Sequence, residues 1–138
     1  MEKRVRAIII KDNKVLTIKR TKPEGIFWVF PGGGVEERET NEDALIRECK
    51  EELGVDVKID DLFMELDSKV SKTLGHREYF YFCDIRGGKL GSGNGPEFHK
   101  DTLYVGKYDI EWIDIDSLKN INLRPAEIKD LICNRYKK

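Results

Sequence analysis

The stretch from Gly32 to Val55, GGGVEERETNEDALIRECKEELGV, determines how the rest of the chain is interpreted. Glycines open it directly after Pro31, and its second half has the spacing of an amphipathic helix. At roughly 100° per residue, three carboxylates of that helix fall within an arc of about 100°, namely Glu48, Glu51 and Glu52. Like charges three and four residues apart destabilise an isolated helix. A cation at this face would offset that repulsion, and hard carboxylate oxygens suit Mg²⁺ or Mn²⁺.

The same stretch specifies the ends of its own helix. Thr40 or Asn41 is a suitable N-cap, and Gly54 supplies the C-terminal stop. An apolar stripe runs beside the carboxylates and consists of Leu45, Ile46, Cys49 and Leu53. Arg47 and Lys50 are predicted to project to other sides of the helix. Taken alone, the acidic cluster favours an ordinary solvated helix face over a metal site.

The spacing of a larger set of residues changes that balance. The residues stand as G-x5-E-x7-R-E-x-x-E-E-x-G-V, at Gly33, Glu39, Arg47, Glu48, Glu51, Glu52, Gly54 and Val55. This pattern resembles the Nudix box, the signature of the Nudix hydrolases. If each of seven fixed residues has a frequency of about 0.1, chance agreement at a given start is about 10⁻⁷. The family commonly has a glycine where Arg38 stands, so the turn before Glu39 is expected to differ in shape.

The resemblance implies roles for the residues of the box. Glu51 and Glu52 are implied as metal ligands, and Glu48 as a further ligand or as the general base. The carbonyl oxygen of Gly32, in the glycine run before the helix, is implied as an additional ligand. The implied cofactor is Mg²⁺ or Mn²⁺.

Four further residues receive expected roles from the same resemblance. Arg47 and Glu39 are implied to hold the loop against the helix, because arginine forms bidentate pairs with carboxylates. Arg20 is implied as a contact for substrate phosphate, with a solvated charge at a strand end as the alternative. Glu97 lies in a long glycine-rich stretch and is implied as a catalytic acid from outside the box. The alternative for Glu97 is an ordinary loop carboxylate.

Length and composition fit one domain that spans residues 1–138. Charged residues make up 37% of the chain and its net charge is −1, so it lacks the basic excess of a protein that binds nucleic acid polymers. The three cysteines lack the spacing of metal ligands, which predicts reduced thiols and a cytoplasmic location. The apolar run near the start is too short for a signal peptide or a membrane span.

The remaining chain predicts strands on both sides of the box helix. Residues 3–10 and 15–21 are expected to form a hairpin, and 27–30 a short strand before the glycines. The aromatic run 79–83 predicts a central strand covered on both faces. Residues 125–136 predict an amphipathic C-terminal helix. With the resemblance, these elements imply a Nudix-type α/β/α sandwich with a mixed β-sheet between helices.

The implied activity is hydrolysis of a phosphoanhydride bond in a nucleoside diphosphate linked to another moiety. The first expected substrate is a nucleoside or deoxynucleoside triphosphate, oxidised forms included, cleaved to a monophosphate and pyrophosphate. ADP-ribose or another nucleotide sugar is the alternative within the family. A non-catalytic nucleotide-sensing module is the alternative of a different class, and the complete set of box carboxylates favours an enzyme. The expected partner is a small nucleotide, and a homodimer is left open.

Overall fold

The computed structural model describes residues 2–67, 75–93 and 106–136. In these ranges the chain forms strands, two α-helices and one 3-10 helix. In chain order they are β1 Lys3–Ile8, β2 Ile10–Lys11, β3 Lys14–Lys22, β4 Gly25–Val29, β5 Gly32–Gly34, α1 Asn41–Leu53, β6 Val55–Asp67, β7 Arg77–Gly88, β8 Lys107–Asp114, the 3-10 helix Ile115–Asn120, β9 Leu123–Arg124 and α2 Ala126–Arg135.

The strands divide between two sheets. The first has the order β5-β1-β7-β6, in which β1 and β7 run parallel and the other neighbours run antiparallel. In the second, β3 pairs antiparallel with β8, β4 and β2, and β9 adds to β4 in parallel. The predicted α/β class is confirmed, with two sheets where the prediction named one mixed sheet.

The predicted hairpin of residues 3–10 and 15–21 is correct only for its inner part. Ile10 pairs with Val15 in β2 and β3, whereas residues 3–8 belong to the first sheet. The chain changes sheets at Ile9, whose carbonyl accepts a hydrogen bond of 2.9 Å from the Leu16 N–H. An unbroken apolar run cannot show this change of sheet, because Ile8 and Ile9 are both buried but lie in different core clusters.

The prediction of a central aromatic strand is confirmed. β7 lies between β1 and β6 in the first sheet. Tyr81 and Cys83 are buried in the cluster under α1, and Phe80 is buried in the cluster on the other face. Alternate side chains of one strand therefore link the two cores.

The two clusters fix the position of both helices. α1 buries Ala44, Leu45, Cys49 and Leu53 against the first sheet. Ile46, predicted for this stripe, is 42% exposed, and Ala44 takes its place. The cluster on the other face contains Ile128 and Ile132 of α2, and the three cysteines are free thiols. In the part of the chain that the structure describes, no helix is long and apolar enough to cross a membrane.

Gly54 makes the end of α1 a position where a side chain cannot be accommodated. Its φ is 81°, and an added Cβ would lie 2.7 Å from the Gly93 nitrogen and 2.8 Å from the Lys89 oxygen. We expect Gly54→Ala to lower the free energy of unfolding by about 2–4 kcal/mol, because left-handed strain and a backbone clash add together. Chemical denaturation measures this change.

The matched control is Gly91→Ala. Gly91 has a φ of 90°, but an added Cβ would have no neighbour within 4 Å. We therefore expect only the conformational cost of about 1–2 kcal/mol at this position. Equal losses in the two variants would show that the end of α1 does not depend on close backbone packing.

Candidate active site

The box helix is positioned by caps that the sequence predicts. Thr40 is the N-cap, and its Oγ1 accepts a hydrogen bond of 3.0 Å from the Asp43 N–H. Gly54 closes the other end in the left-handed conformation, with its N–H directed to the Cys49 and Lys50 carbonyls. Between these ends, the apolar face of α1 is fixed on the sheet, so the neighbouring acidic face is directed along the glycine strand β5.

Two glutamates of α1 meet the glycine strand directly. The Gly32 N–H donates a hydrogen bond of 2.8 Å to Glu52 Oε1, and Glu52 is only 8% exposed. A Cβ built on Gly33 would lie 2.6 Å from the Glu48 carboxyl carbon. The absence of side chains on β5 thus creates the space in which both carboxylates lie.

The direction of the Gly32 backbone follows from the pairing of its neighbours. The Ala7 N–H donates to the Pro31 carbonyl at 2.8 Å, and the Val35 N–H donates to the Lys3 carbonyl at 2.9 Å. Because backbone groups alternate in direction along a strand, Gly32 turns its N–H and C=O away from β1. The N–H reaches Glu52, and the carbonyl faces the same outer edge.

Arg47 is the centre of the ionic contacts at this edge. Its Nε donates to Glu39 Oε2 at 2.8 Å and its Nη2 to Glu39 Oε1 at 2.9 Å, which is a bidentate pair. Its Nη1 donates to Glu48 Oε1 at 3.1 Å and to Glu51 Oε2 at 3.3 Å. The Nη2 group also donates to the Gly34 carbonyl at 3.0 Å. One side chain therefore joins the loop, the glycine strand and the carboxylates.

The prediction that Arg47 projects away from the three carboxylates is wrong. A helical wheel gives the direction of the Cα–Cβ bond, and a long side chain can still return to its neighbours one residue and four residues along. The hydrogen bonds to the Glu39 carboxylate raise the pKa of Arg47 further above its usual range. Arg47 therefore offsets the repulsion between Glu48 and Glu51, which the sequence assigned to a metal ion.

The loop before α1 keeps its shape around Glu39. The Glu36 N–H donates to Glu39 Oε1 at 2.9 Å, so both oxygens of this carboxylate are engaged. Arg38 has a φ of 69°, in the left-handed region where glycine is favoured. The expected change in the turn at Arg38 does not alter the bidentate contact with Arg47.

The donor chemistry of these residues fits a hard divalent cation. Glu48, Glu51 and Glu52 supply carboxylate oxygens, and Gly33 leaves the space that a Cβ would fill. In residues 2–67, 75–93 and 106–136, however, no three His, Cys, Asp or Glu side chains are arranged so that they could hold a metal as they stand. Glu48 and Glu51 share Arg47 as a partner, so a cation at this site would take over contacts that Arg47 now makes.

Of the two predicted site residues outside the box, the structure describes Arg20 but not Glu97. Arg20 lies in β3 between Phe27 and Tyr108 in the sheet register, with its guanidinium 3.6 Å from the centre of the Tyr108 ring. Glu97 lies outside the described residues. A cavity of about 750 Å³ includes none of the predicted site residues among those that line it, which include Ile9, Val55, Leu90 and Trp112.

The sequence alone assigns no role to Arg4 and Arg6 on β1. They alternate with the buried Val5 and Ala7, so both extend from the opposite face of the strand. Arg6 donates from Nε to Glu78 Oε2 at 3.2 Å. The alternation of arginine with apolar residues in RVRA was the available signal.

Comparison with known proteins agrees with this geometry. A family model described as the NUDIX domain matches residues 1–132. The CTP pyrophosphohydrolase of Escherichia coli (strain K12) is 33% identical over 127 residues, which cover 90% of this chain and 84% of that protein. The ADP-ribose pyrophosphatase of Methanocaldococcus jannaschii is 40% identical over 92 residues, or 65% of this chain and 54% of that protein.

A solved structure of a NUDIX hydrolase has the same fold as this chain. The NUDIX hydrolase from Nitrosomonas europaea superimposes with a TM-score of 0.72 at 21% identity, covering 97% of this chain and 88% of that one. The chain belongs to the Nudix hydrolase family, as the box predicted.

The Glu39–Arg47 pair should make stability depend on acid pH. The hydrogen bond from Arg47 lowers the pKa of Glu39 below its ordinary value of 4.5. The stabilisation is therefore complete above about pH 4.5 and is lost as the pH falls through the lower pKa of the folded state. We expect Glu39→Gln to reduce the free energy of unfolding by about 1–3 kcal/mol at pH 7, and by less as the pH falls below 4.

Denaturation of both proteins across this pH range measures the difference. Glu37→Gln removes the same charge from an exposed position of the same loop and should have little effect at any pH. A Glu39→Gln deficit that stays constant down to pH 2 would contradict the ionic explanation.

Gly33 and Gly34 provide a matched pair for the carboxylate site. In Gly33→Ala the new Cβ meets the Glu48 carboxylate, whereas at Gly34 nothing lies within 4 Å of an added Cβ. Because Glu48 is flexible and can move aside, we expect the unfolding free energy of both variants to stay within about 1 kcal/mol of wild type. Titration calorimetry should show Mn²⁺ binding weakened about tenfold or more in Gly33→Ala alone. Equal Mn²⁺ affinity in the two variants would remove Glu48 from the metal site.

Proposed function

We propose that this protein catalyses the metal-dependent hydrolysis of a phosphoanhydride bond in a nucleoside diphosphate linked to another moiety. The first candidate substrate is a nucleoside or deoxynucleoside triphosphate, cleaved to a monophosphate and pyrophosphate. The observation that carries the proposal is the contact between the glycine strand and the box carboxylates, in which the Gly32 N–H holds Glu52 Oε1 at 2.8 Å. This contact joins the two parts of the sequence that a polyphosphate site needs.

The proposed roles are those that the resemblance to the Nudix box implies. Glu51 and Glu52, together with the outward carbonyl of Gly32, would hold Mg²⁺ or Mn²⁺. When bound, a divalent ion supplies positive charge for the phosphoryl oxygens and lowers the pKa of water. Glu48 is a further ligand or accepts the proton of the attacking water at its carboxylate. The Gly32 N–H fixes the orientation of Glu52 before substrate arrives.

Arg47 and Glu39 orient the site. The two hydrogen bonds of 2.8 and 2.9 Å to Glu39 fix the Arg47 guanidinium at the loop. Arg47 Nη1 would therefore stay close to Glu48 and Glu51 even when a cation binds these two carboxylates. Retention of a partner beside each carboxylate limits how far the side chains can move. We assign both residues to positioning and neither to bond cleavage.

Two relatives support different substrate classes. The Escherichia coli relative, which this chain covers for 84% of its length, is named for a nucleoside triphosphate. The Methanocaldococcus jannaschii relative is named for a nucleotide sugar, and this chain spans 54% of it. The greater coverage favours the triphosphate, and ADP-ribose is the second candidate.

Several expectations stay predictions. Arg20 is proposed to contact substrate phosphate, since its guanidinium already stacks on Tyr108 at 3.6 Å and so has a fixed position. Glu97 remains a proposed catalytic acid outside the described residues. A cytoplasmic location agrees with three free thiols, and a homodimer is left open.

The proposal is tested by a hydrolysis screen with the purified protein. The substrates are the common nucleoside triphosphates, oxidised deoxyguanosine triphosphate, ADP-ribose and a dinucleoside polyphosphate, each with Mg²⁺, with Mn²⁺ or with chelator. We expect metal-dependent release of a monophosphate and pyrophosphate from at least one triphosphate, identified by mass. Binding of nucleotides without turnover on any substrate would favour a sensing module instead.

Glu52→Gln is the control within this experiment. It keeps the shape of the side chain, and we expect turnover to fall at least about a hundredfold while the protein stays folded. Glu42→Gln removes an exposed carboxylate from the first turn of the same helix and should leave turnover near that of wild type. Normal turnover in Glu52→Gln would exclude this carboxylate from the metal site.

A further inference from the structure

Arg4 and Arg6 lie on the face of the first sheet opposite α1, near one glutamate of β7, Glu78. In the register, Arg4 lies beside Glu78 of β7 and Gly34 of β5, and Arg6 lies beside Gly32. Arg6 Nε donates a hydrogen bond of 3.2 Å to Glu78 Oε2, and Arg6 Nη1 donates one of 3.0 Å to the Phe30 carbonyl. These two contacts place Arg6 as a structural partner of the strand that leads into the glycines.

Arg4 is left without such a partner. Its side chain makes no hydrogen bond and no ion pair within the part of the chain that the structure describes. It is half-buried, and burial together with the charge of Arg6 lowers its pKa, while Glu78, Glu48 and Glu52 act in the opposite direction. The guanidinium therefore lies within the electrostatic field of two of the proposed metal ligands without being bound to either of them.

Partial burial of a guanidinium costs free energy when its N–H donors lack acceptors, and an anion that accepts their hydrogen bonds offsets this cost. The nearby carboxylates do not fill that role, because Glu52 is held by Gly32 and Glu48 by Arg47. A divalent cation on those carboxylates would offset their negative charge and leave Glu78, which Arg6 binds, as the remaining acidic group that acts on Arg4. A phosphoryl oxygen next to that cation has the charge and the acceptor geometry that an arginine prefers.

We propose that Arg4 is a substrate-positioning residue that donates hydrogen bonds to a phosphoryl oxygen of the metal-bound polyphosphate, from the side of β5 opposite α1. The proposal rests on the proposed function, since it requires a phosphate beside the box carboxylates. It adds a second protein contact, so the phosphate chain is held between the carboxylate side and the arginine side of one short glycine strand.

The experiment compares Arg4→Gln with wild type in two titrations. The first uses Mn²⁺ alone, and the second uses Mn²⁺ with α,β-methylene analogues of the four ribonucleoside triphosphates. Loss of a charge-assisted contact should weaken analogue binding roughly tenfold or more. Loss of a nearby positive charge should leave Mn²⁺ affinity equal or higher. A general distortion of the site would instead weaken both titrations.

Controls separate this inference from the proposed function. Arg86→Gln removes an exposed arginine of β7 that lies 3.9 Å from Asp84, and should leave both titrations unchanged. Arg4→Lys keeps the charge and should recover part of the analogue affinity. In turnover, Arg4→Gln should raise KM more than it lowers kcat, because the contact is made before and during cleavage.

The outcomes are distinct for the two claims. If wild type binds none of the analogues and hydrolyses no substrate, the proposed function is wrong. If wild type binds an analogue and Arg4→Gln binds it equally well, the role of Arg4 is wrong and the proposed function stands. Weaker analogue binding with unchanged Mn²⁺ affinity in a variant of wild-type melting temperature would support the role of Arg4.

Discussion

The bidentate pair between Arg47 and Glu39 is the contact on which the geometry of this site depends. Its two hydrogen bonds of 2.8 and 2.9 Å tie a loop of irregular backbone to a regular helix. The same guanidinium then reaches Glu48, Glu51 and the Gly34 carbonyl, so three separate pieces of chain share one partner. Without it, three carboxylates on one helix face would repel one another and the loop would have no fixed distance from them.

The glycine strand is the complementary constraint. A β-strand normally places a side chain on each face at every second residue, which would separate the helix from the strand. Gly33 instead leaves room for the Glu48 carboxylate, and Gly32 directs an N–H to Glu52. Arg47 thus holds Glu48 and Glu51 toward the loop, while the glycines leave space for Glu48 and Glu52 at the strand. The contacts with Arg47 and with the glycine strand together determine where the carboxylates lie.

The sequence could predict whatever depends on local spacing. Thr40 and Gly54 cap the helix where their chemistry indicated, and the box predicted the family and its fold. It could not predict contacts that depend on chain direction over long separations. The change of sheets at Ile9 and the return of the long Arg47 side chain to its own helix both follow from three-dimensional packing. The helical period gives only the direction of the Cα–Cβ bond, and it does not show where the end of a long side chain lies.

Arg4 illustrates the same limit in a functional residue. On the strand pattern it is one of two charged residues that alternate with buried valine and alanine, which is typical of a solvated face. Its proposed role becomes visible only in the folded sheet, where β5 and β7 lie on either side of β1. There Arg6 binds Glu78, and the box carboxylates lie at the glycine strand β5. A guanidinium that has no hydrogen-bonded partner among the described residues, next to a site that needs an anion, points to a ligand. In this fold a contact for the substrate can thus come from the first strand, far in sequence from the motif that defines the family.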